Sequence, residues 1–366
     1  MDRIKIFAIV AVIALLAAGA AAVVAMTNGG EDKEEHTVTD ALGRDVTITS
    51  VDRITSVSAC PTAILCGLGV SSDLVAVSSD SGILNEDPRI IGLTDDDFPV
   101  SVADGIADGT ITALGPMWGM SAETIVSVET DLVVFGGYGY NQATLDALDS
   151  LGVTYIVTYN ERSIDDIYNN ITLIGEAVGR SQEAEALVSE MQYVIGKITD
   201  WCESIVENER GGEKYDVALM LTSTYAVGGD YLSGRMLESL CASNVYQDVG
   251  MYAEVTMESM AQEDPDTIVF LSIGMGDGLD DPDAYIESMY TDPVLGGIRA
   301  SQEQRISGAT GAAKNVMTYA DQGIVGAYAM CAMFIYADYL DFEVPTVLGT
   351  DDYYGYLSMF WEVVNS

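Results

Sequence analysis

The chain has 366 residues, enough for two hydrophobic cores and a targeting segment, because single cores stop growing at about 250–300 residues. Its 57 acidic against 15 basic residues give a formal charge of −42, which repels phosphate backbones and anionic lipid surfaces, argues against nucleic acid as a partner and favours a soluble monomer. The one histidine, His36, and five cysteines without a Cys-x-x-Cys pair argue against a zinc site built from His and Cys.

Residues 1–26 read as a membrane anchor or signal segment. Arg3 and Lys5 precede an uncharged run of 21 residues from Ile6 to Met26. A helix of about 20 apolar residues spans the hydrocarbon core, and the basic flank stays in the cytoplasm, which puts the globular part outside. A cleaved signal peptide stays open as the competing reading, because Ala20-Ala21-Ala22 offers small residues to a peptidase. No cysteine stands near residues 20–30, so a bacterial-type lipid attachment site is not expected. Residues 27–36, with acidic positions from Glu31 to Glu35, read as a linker.

From Thr37 onward short β-branched runs alternate with helix-length segments, the pattern of βα units around parallel strands. Strands are predicted at Arg53–Ser58, Leu74–Ser78, Leu132–Phe135 and Thr154–Thr158. A helix at Ser163–Gly179, with Ile167, Ile171, Ile174 and Val178 on one face, closes an N-terminal lobe of residues 37–180. Ser181–Glu209 has no Pro, and its apolar residues recur at three or four, which predicts one stiff helix of about 40 Å ended by Gly211-Gly212. A C-terminal lobe, residues 213–366, follows. Its predicted strands are Tyr215–Leu221, Thr267–Ser272 and Arg305–Ala309, and its predicted helices lie around Arg235–Cys241 and Gln322–Leu340.

An internal repeat relates the halves. Ser121-Ala122-Glu123-Thr124-Ile125 and Asp131-Leu132-Val133-Val134-Phe135 return as Thr256-Met257-Glu258-Ser259-Met260 and Asp266-Thr267-Ile268-Val269-Phe270, offset by 135 residues throughout. A hydroxyl N-cap, a short helix and an Asp-led strand form a common fragment, but one in each half suggests duplicated architecture.

Asp40-Ala41-Leu42-Gly43-Arg44-Asp45-Val46-Thr47-Ile48, Arg53-Ile54-Thr55-Ser56-Val57, Ile64-Leu65-Cys66-Gly67-Leu68-Gly69-Val70, the segment around Glu123, and Ile174-Gly175-Glu176-Ala177-Val178-Gly179-Arg180 stand in a specific order and spacing. Over about residues 37–340 the chain resembles the periplasmic binding proteins that serve ABC importers of iron-siderophores, haem and cobalamin. The resemblance implies an α/β protein of two αβα, Rossmann-like lobes bridged by one long rigid helix, with ligand in the cleft between them. It also implies a permease with its ATPase as partner, docked through one glutamate per lobe, here Glu123 and Glu258. Such glutamates make charge-assisted pairs with arginines, and the plainer reading is a first-turn acid favouring its helix dipole. In some relatives a disulfide joins corresponding second-lobe helices, which here implicates Cys241 and Cys331; in an exported chain some of the five cysteines pair, and the odd number leaves at least one free.

Ligand in open α/β sheets meets the loops at the C-terminal strand ends. In the first lobe these contain Cys60, Met117, Trp118, Tyr138 and Tyr140, aromatic faces and glycines suited to a macrocycle or aromatic chelator. In the second they contain Tyr225, Tyr231, Tyr252, Lys314, Asn315 and Tyr319. Trp118 as a core residue, Gly136–Tyr140 as a bare turn and Lys314 as an ordinary surface cation are the competing readings. Without a cleft histidine, haem iron would need a Tyr ligand and bare zinc or manganese is disfavoured, which ranks an intact iron chelate first and cobalamin second. No catalytic residues, resident cofactor or protein-bound metal are expected. A two-lobed tetrapyrrole metallochelatase is the enzyme alternative, opposed by the missing histidine and by the absence of a phosphate loop or nucleophile elbow. A surface sensor that kept the fold without an importer is the third.

Overall fold

In a computed structural model of the chain, residues 35–79, 102–273, 281–311, 313, 317, 323–349 and 353–366 are described. The expected anchor at 1–26 and most of the linker lie outside them. Among the described residues no helix is long and apolar enough to cross a membrane. The chain divides into two compact units, one ending at Met191 and the other beginning at Gln192.

The first unit opens with a hairpin, β1 (His36–Thr39) antiparallel to β2 (Asp45–Ile48). Its turn is built on Asp40, whose buried carboxylate accepts the backbone N–H groups of Leu42, Arg44 and Val157 and is paired with the Arg44 guanidinium. Next come β3 (Ile54–Val57), α1 (Ala59–Gly67), β4 (Leu74–Ser78), α2 (Val102–Asp108), β5 (Thr112–Leu114), α3 (Ala122–Val126), β6 (Leu132–Phe135), α4 (Gln142–Leu151), β7 (Tyr155–Val157) and α5 (Ile164–Ala177). The sheet order is β5-β4-β3-β6-β7, all parallel. β3 and β6 at its centre are buried at every position, which is why they read as unbroken apolar runs. Val57, Phe135, Ile125, Leu145 and Leu148 share one core cluster. α5 begins at Ser163, which exchanges a capping box with Asp166.

α6 (Ser181–Asn208) is one uninterrupted helix of 28 residues, matching the predicted span to within a residue. The division of the chain falls inside it, so its first turns belong to the first unit and the rest to the second.

The second unit contains β8 (Tyr215–Met220), β9 (Tyr225–Val227), α7 (Leu232–Ser239), β10 (Ala242–Asn244), β11 (Tyr252–Glu254), α8 (Met257–Glu263), β12 (Thr267–Phe270), α9 (Pro282–Thr291), α10 (Arg299–Gln302), β13 (Ile306–Ala309), α11 (Ile324–Ile335), β14 (Val347–Leu348) and α12 (Tyr353–Val364). Its sheet runs β11-β9-β8-β12-β13-β14, with β10 also on β8. β8, β10, β12, β13 and β14 are parallel, whereas β9 is antiparallel to both β8 and β11. α7 starts three residues before the predicted helix, because Leu232, Met236 and Leu237 form its buried face, and it ends before Cys241, whose φ of 54° turns the chain toward β10.

The internal repeat is structural as well. α3 and α8 are capped by Ser121 and Thr256, whose hydroxyls accept the N–H groups of Thr124 and Ser259. Glu129 and Asp264, again 135 apart, leave these helices with φ of 53° and 45°. The chain then enters β6 and β12, each the immediate neighbour of the strand that opens its unit's parallel sheet.

Candidate functional site

In the first sheet the chain runs outward from β3 through β4 to β5, then returns to lay β6 on the other side of β3. The crevice outside the carboxyl ends of β3 and β6 is therefore the switch point where open α/β sheets bind ligands. β3 ends at Ser58, whose φ of 103° and ψ of 153° lie in a region that is essentially glycine's and costs about 1–3 kcal/mol for a side chain. Such outliers gather at ligand-binding positions. Gly136 and Gly137 follow β6. A Cβ on Gly136 would stand 2.6 Å from the Ser58 Cβ, and one on Gly137 would stand 2.6 Å from the Tyr159 carbonyl, so only glycine lets the three strand ends come together here.

Around that point, Trp118 lies on the short 3-10 turn Met117–Gly119 after β5 and is 68% exposed. An indole so far from any core contradicts the reading of Trp118 as a core residue. Met117 and Tyr140 are half-buried and pack against the core cluster beneath. Tyr138 accepts a hydrogen bond on its hydroxyl from Arg162 Nε at 3.0 Å. Arg162 was not among the residues singled out from the sequence; its signal is its place in the loop that follows β7, among so few basic residues. Cys60 departs from expectation: it lies inside α1, 1% exposed, because the helix starts immediately after Ser58 and turns that side chain into the core.

In the second sheet the corresponding switch point lies between β8 and β12. Tyr225, at the end of the Leu221–Thr224 loop, sits at the carboxyl edge of β8 and meets Tyr252 edge-to-face, ring centroids 6.2 Å apart. Both are exposed. Tyr231 does not belong to this edge. The antiparallel course of β9 carries Gly228–Tyr231 away from it, and Tyr231 is the N-terminal boundary of α7. Lys314, Asn315 and Tyr319 lie outside the described residues.

Glu123 and Glu258 occupy equivalent first-turn positions on α3 and α8, and both are exposed. Hydrogen bonds from its own backbone N–H and from the Ser121 hydroxyl hold the Glu123 carboxyl below the usual carboxylate range. The pairing of Cys241 with Cys331 is corrected: both are free thiols. Cys331 is sealed in the apolar face of α11, where burial pushes its thiol up to about 12, and Cys241 has Cys202 as its electrostatic neighbour. Among the described residues no group of three or more His, Cys, Asp or Glu side chains is placed to hold a metal ion.

Residues 54–311 match the model of a family described as periplasmic binding protein. YvrC of Bacillus subtilis, an uncharacterized ABC transporter substrate-binding lipoprotein, is 26% identical over 237 residues, 64% of this chain and 68% of its own length. A cobalamin-binding protein of Halobacterium salinarum is 24% identical over 163 residues, 44% of this chain and 42% of its own. The structure of a possible iron-binding, periplasmic solute-binding protein from Staphylococcus epidermidis superposes with a TM-score of 0.57 at 24% identity, covering 78% of this chain and 98% of that one. The match spans both switch points, from β3 to the residues just after β13, and this chain belongs to the periplasmic binding protein family of solute-binding transport proteins.

Proposed function

We propose that the chain is an extracytoplasmic solute-binding protein of an ABC importer, held at the membrane by residues 1–26, that captures a metal chelate and delivers it to the permease without catalysing a reaction. The chelate is an iron complex or a corrinoid. The observation that carries this reading is the pair of switch-point edges, one per unit, each with exposed aromatic rings, Trp118 in the first and Tyr225 with Tyr252 in the second, and in the first unit with the close-packed turn at Gly136 and Gly137. Such surfaces hold a bulky planar or chelated cargo by stacking and hydrogen bonds, with no ligand exchange at the metal. The names of the Halobacterium and Staphylococcus relatives, cobalamin-binding and possibly iron-binding, fit the same cargo class. Glu123 and Glu258 dock the loaded protein onto arginines of the permease, each exposed in the first turn of a helix capped by a hydroxyl.

The test is a fluorescence titration of the full-length chain in detergent with ferric chelates and cobamides. Saturable quenching is expected with at least one of them. Trp118→Ala should weaken binding by roughly tenfold, about the 1.4 kcal/mol of one lost aromatic contact, while leaving thermal unfolding unchanged because the indole is exposed. Silence toward every chelate removes the reading. Binding without any loss of permease-dependent uptake in the Glu123→Ala, Glu258→Ala double variant removes the docking assignment alone.

A further inference from the structure

Asn170-Ile171-Thr172 is the one Asn-x-Ser/Thr sequence in the chain, a pattern that on an exported protein reads as a surface acceptor for a glycan. The structure gives Asn170 a different place. It is 0% exposed, on the face of α5 that also buries Ile167, Ile171 and Ile174. An amide taken out of water among isoleucines is costly unless it is hydrogen-bonded. Asn170 finds both partners in a single residue: its Oδ1 accepts the Tyr159 N–H at 2.6 Å, and its Nδ2 donates to the Tyr159 carbonyl at 3.1 Å. Tyr159 stands just past the end of β7, one residue beyond the bond from the Thr158 N–H to the Phe135 carbonyl of β6. The amide thus serves the Tyr159 backbone as a neighbouring strand would, at the point where the sheet stops.

The loop that Tyr159 opens is held by α5 at both ends. Asp166, one turn before Asn170, accepts the Arg162 and Ser163 N–H groups at 3.1 and 3.0 Å. The loop in turn shapes the one beside it. A Cβ on Gly137 would stand 2.6 Å from the Tyr159 carbonyl and from the Asn160 Oδ1, and Arg162 Nε donates to the Tyr138 hydroxyl at 3.0 Å. We infer that Asn170 is a positioning residue for the carboxyl edge of the first sheet: it fixes residues 158–162 before cargo arrives and, through them, the turn at Gly137 and the Tyr138–Arg162 pair. Being fully buried, it acts through the loop and not on the cargo. Tyr159 and Arg162 are exposed, so a clamp on the backbone leaves their side chains available at the surface. This rests on the reading of that edge as the cargo surface and adds the residue that holds its shape. A loop fixed in advance loses less conformational freedom on binding, which makes affinity depend on the clamp.

The experiment measures hydrogen exchange and ligand affinity on the full-length chain in detergent, for Asn170→Leu and Asn170→Asp beside the parent. Leu suits the apolar face of α5 but neither accepts nor donates, whereas Asp keeps an acceptor for the Tyr159 N–H and loses the donor to its carbonyl. In the cargo-free protein the amides of residues 159–162 are expected to exchange about tenfold faster in Asn170→Leu, with Asn170→Asp between it and the parent, while the amides of β3 and β6 keep the parent's rates. Ferrichrome, ferrioxamine B and cyanocobalamin are the probes for affinity, and any that quenches the parent is expected to bind Asn170→Leu about five- to tenfold more weakly. Loop amides that keep the parent's rates in both variants overturn the inference. So does an acceleration shared equally by β3 and β6, because Asn170 would then support the whole unit and not the loop. A loosened loop with unchanged affinity also overturns it and leaves the chelate-binding role standing. Silence of all three probes with the parent counts against the chelate-binding role, and the exchange pattern alone then decides the inference.

Discussion

Glu190 shows how a single carboxyl records its surroundings. It stands on α6, half-exposed as a residue, yet its Oε1 is buried with no hydrogen-bond partner. Desolvation pushes its pKa up to about 7 from an ordinary 4.5. Because the folded state holds the proton more tightly than the unfolded chain, stability from this group is complete below pH 4.5 and is lost as pH rises to about 7. Above that it is ionised in both states and the folded form carries the desolvation cost. Glu190→Gln, which cannot ionise, is expected to be more stable than the parent at pH 8, with the difference closing toward pH 4.5; chemical denaturation across that range reads it. Parallel stability profiles for the two proteins would refute the assignment. Nothing in the sequence marks Glu190, one acid among 57, because desolvation depends on what the fold packs around it. Trp118 and Tyr225 were legible for the opposite reason: a large aromatic placed where a strand run ends has no core to enter. Cys60 has the same sequence position and the opposite fate, since α1 begins at Ala59 and takes Cys60 into its first turn.

At the scale of elements, legibility followed burial. β4 and β6 match their predicted bounds, and β3, β7, β8, β12 and β13 fall within theirs, because strands covered on both faces are written as apolar runs. The short strands β9, β10, β11 and β14 were not foreseen. Three residues or fewer, often half-exposed, leave too little pattern, and the antiparallel turn of β9 moved Tyr231 off the carboxyl edge. α6 was legible along its whole length from its apolar recurrence, and it contains one residue that argues against a helix, Gly196. A Cβ added there would meet nothing within 4 Å, so no packing requirement explains the glycine. Gly196→Ala is accordingly expected to stabilise the protein by about 0.8–1.0 kcal/mol, the propensity difference in a helix interior, measured as a shift of the denaturation midpoint at constant slope. A destabilised variant would mean that the helix bends at Gly196 in solution.

For the whole molecule, the division into two units of matching βα fragments could be read from the 135-residue repeat, and the charge balance from composition. That balance has a thermodynamic consequence. A formal charge of −42 makes each folded unit repel itself, and folding brings the acids closer than the unfolded chain holds them. The ion pairs at the amino-terminal edges offset a small part of this, because the basic residues are too few. Mobile ions screen the remainder, with a Debye length of about 10 Å at 0.1 M falling to about 3 Å at 1 M. Potassium chloride over that range is therefore expected to raise the unfolding temperature, by about 2–4 °C for every 1 kcal/mol of repulsion removed in domains of this size. An uncharged osmolyte chosen to match water activity separates screening from preferential exclusion, which both solutes exert. If sucrose raised the unfolding temperature as far as the salt did, self-repulsion would not govern the stability of the molecule.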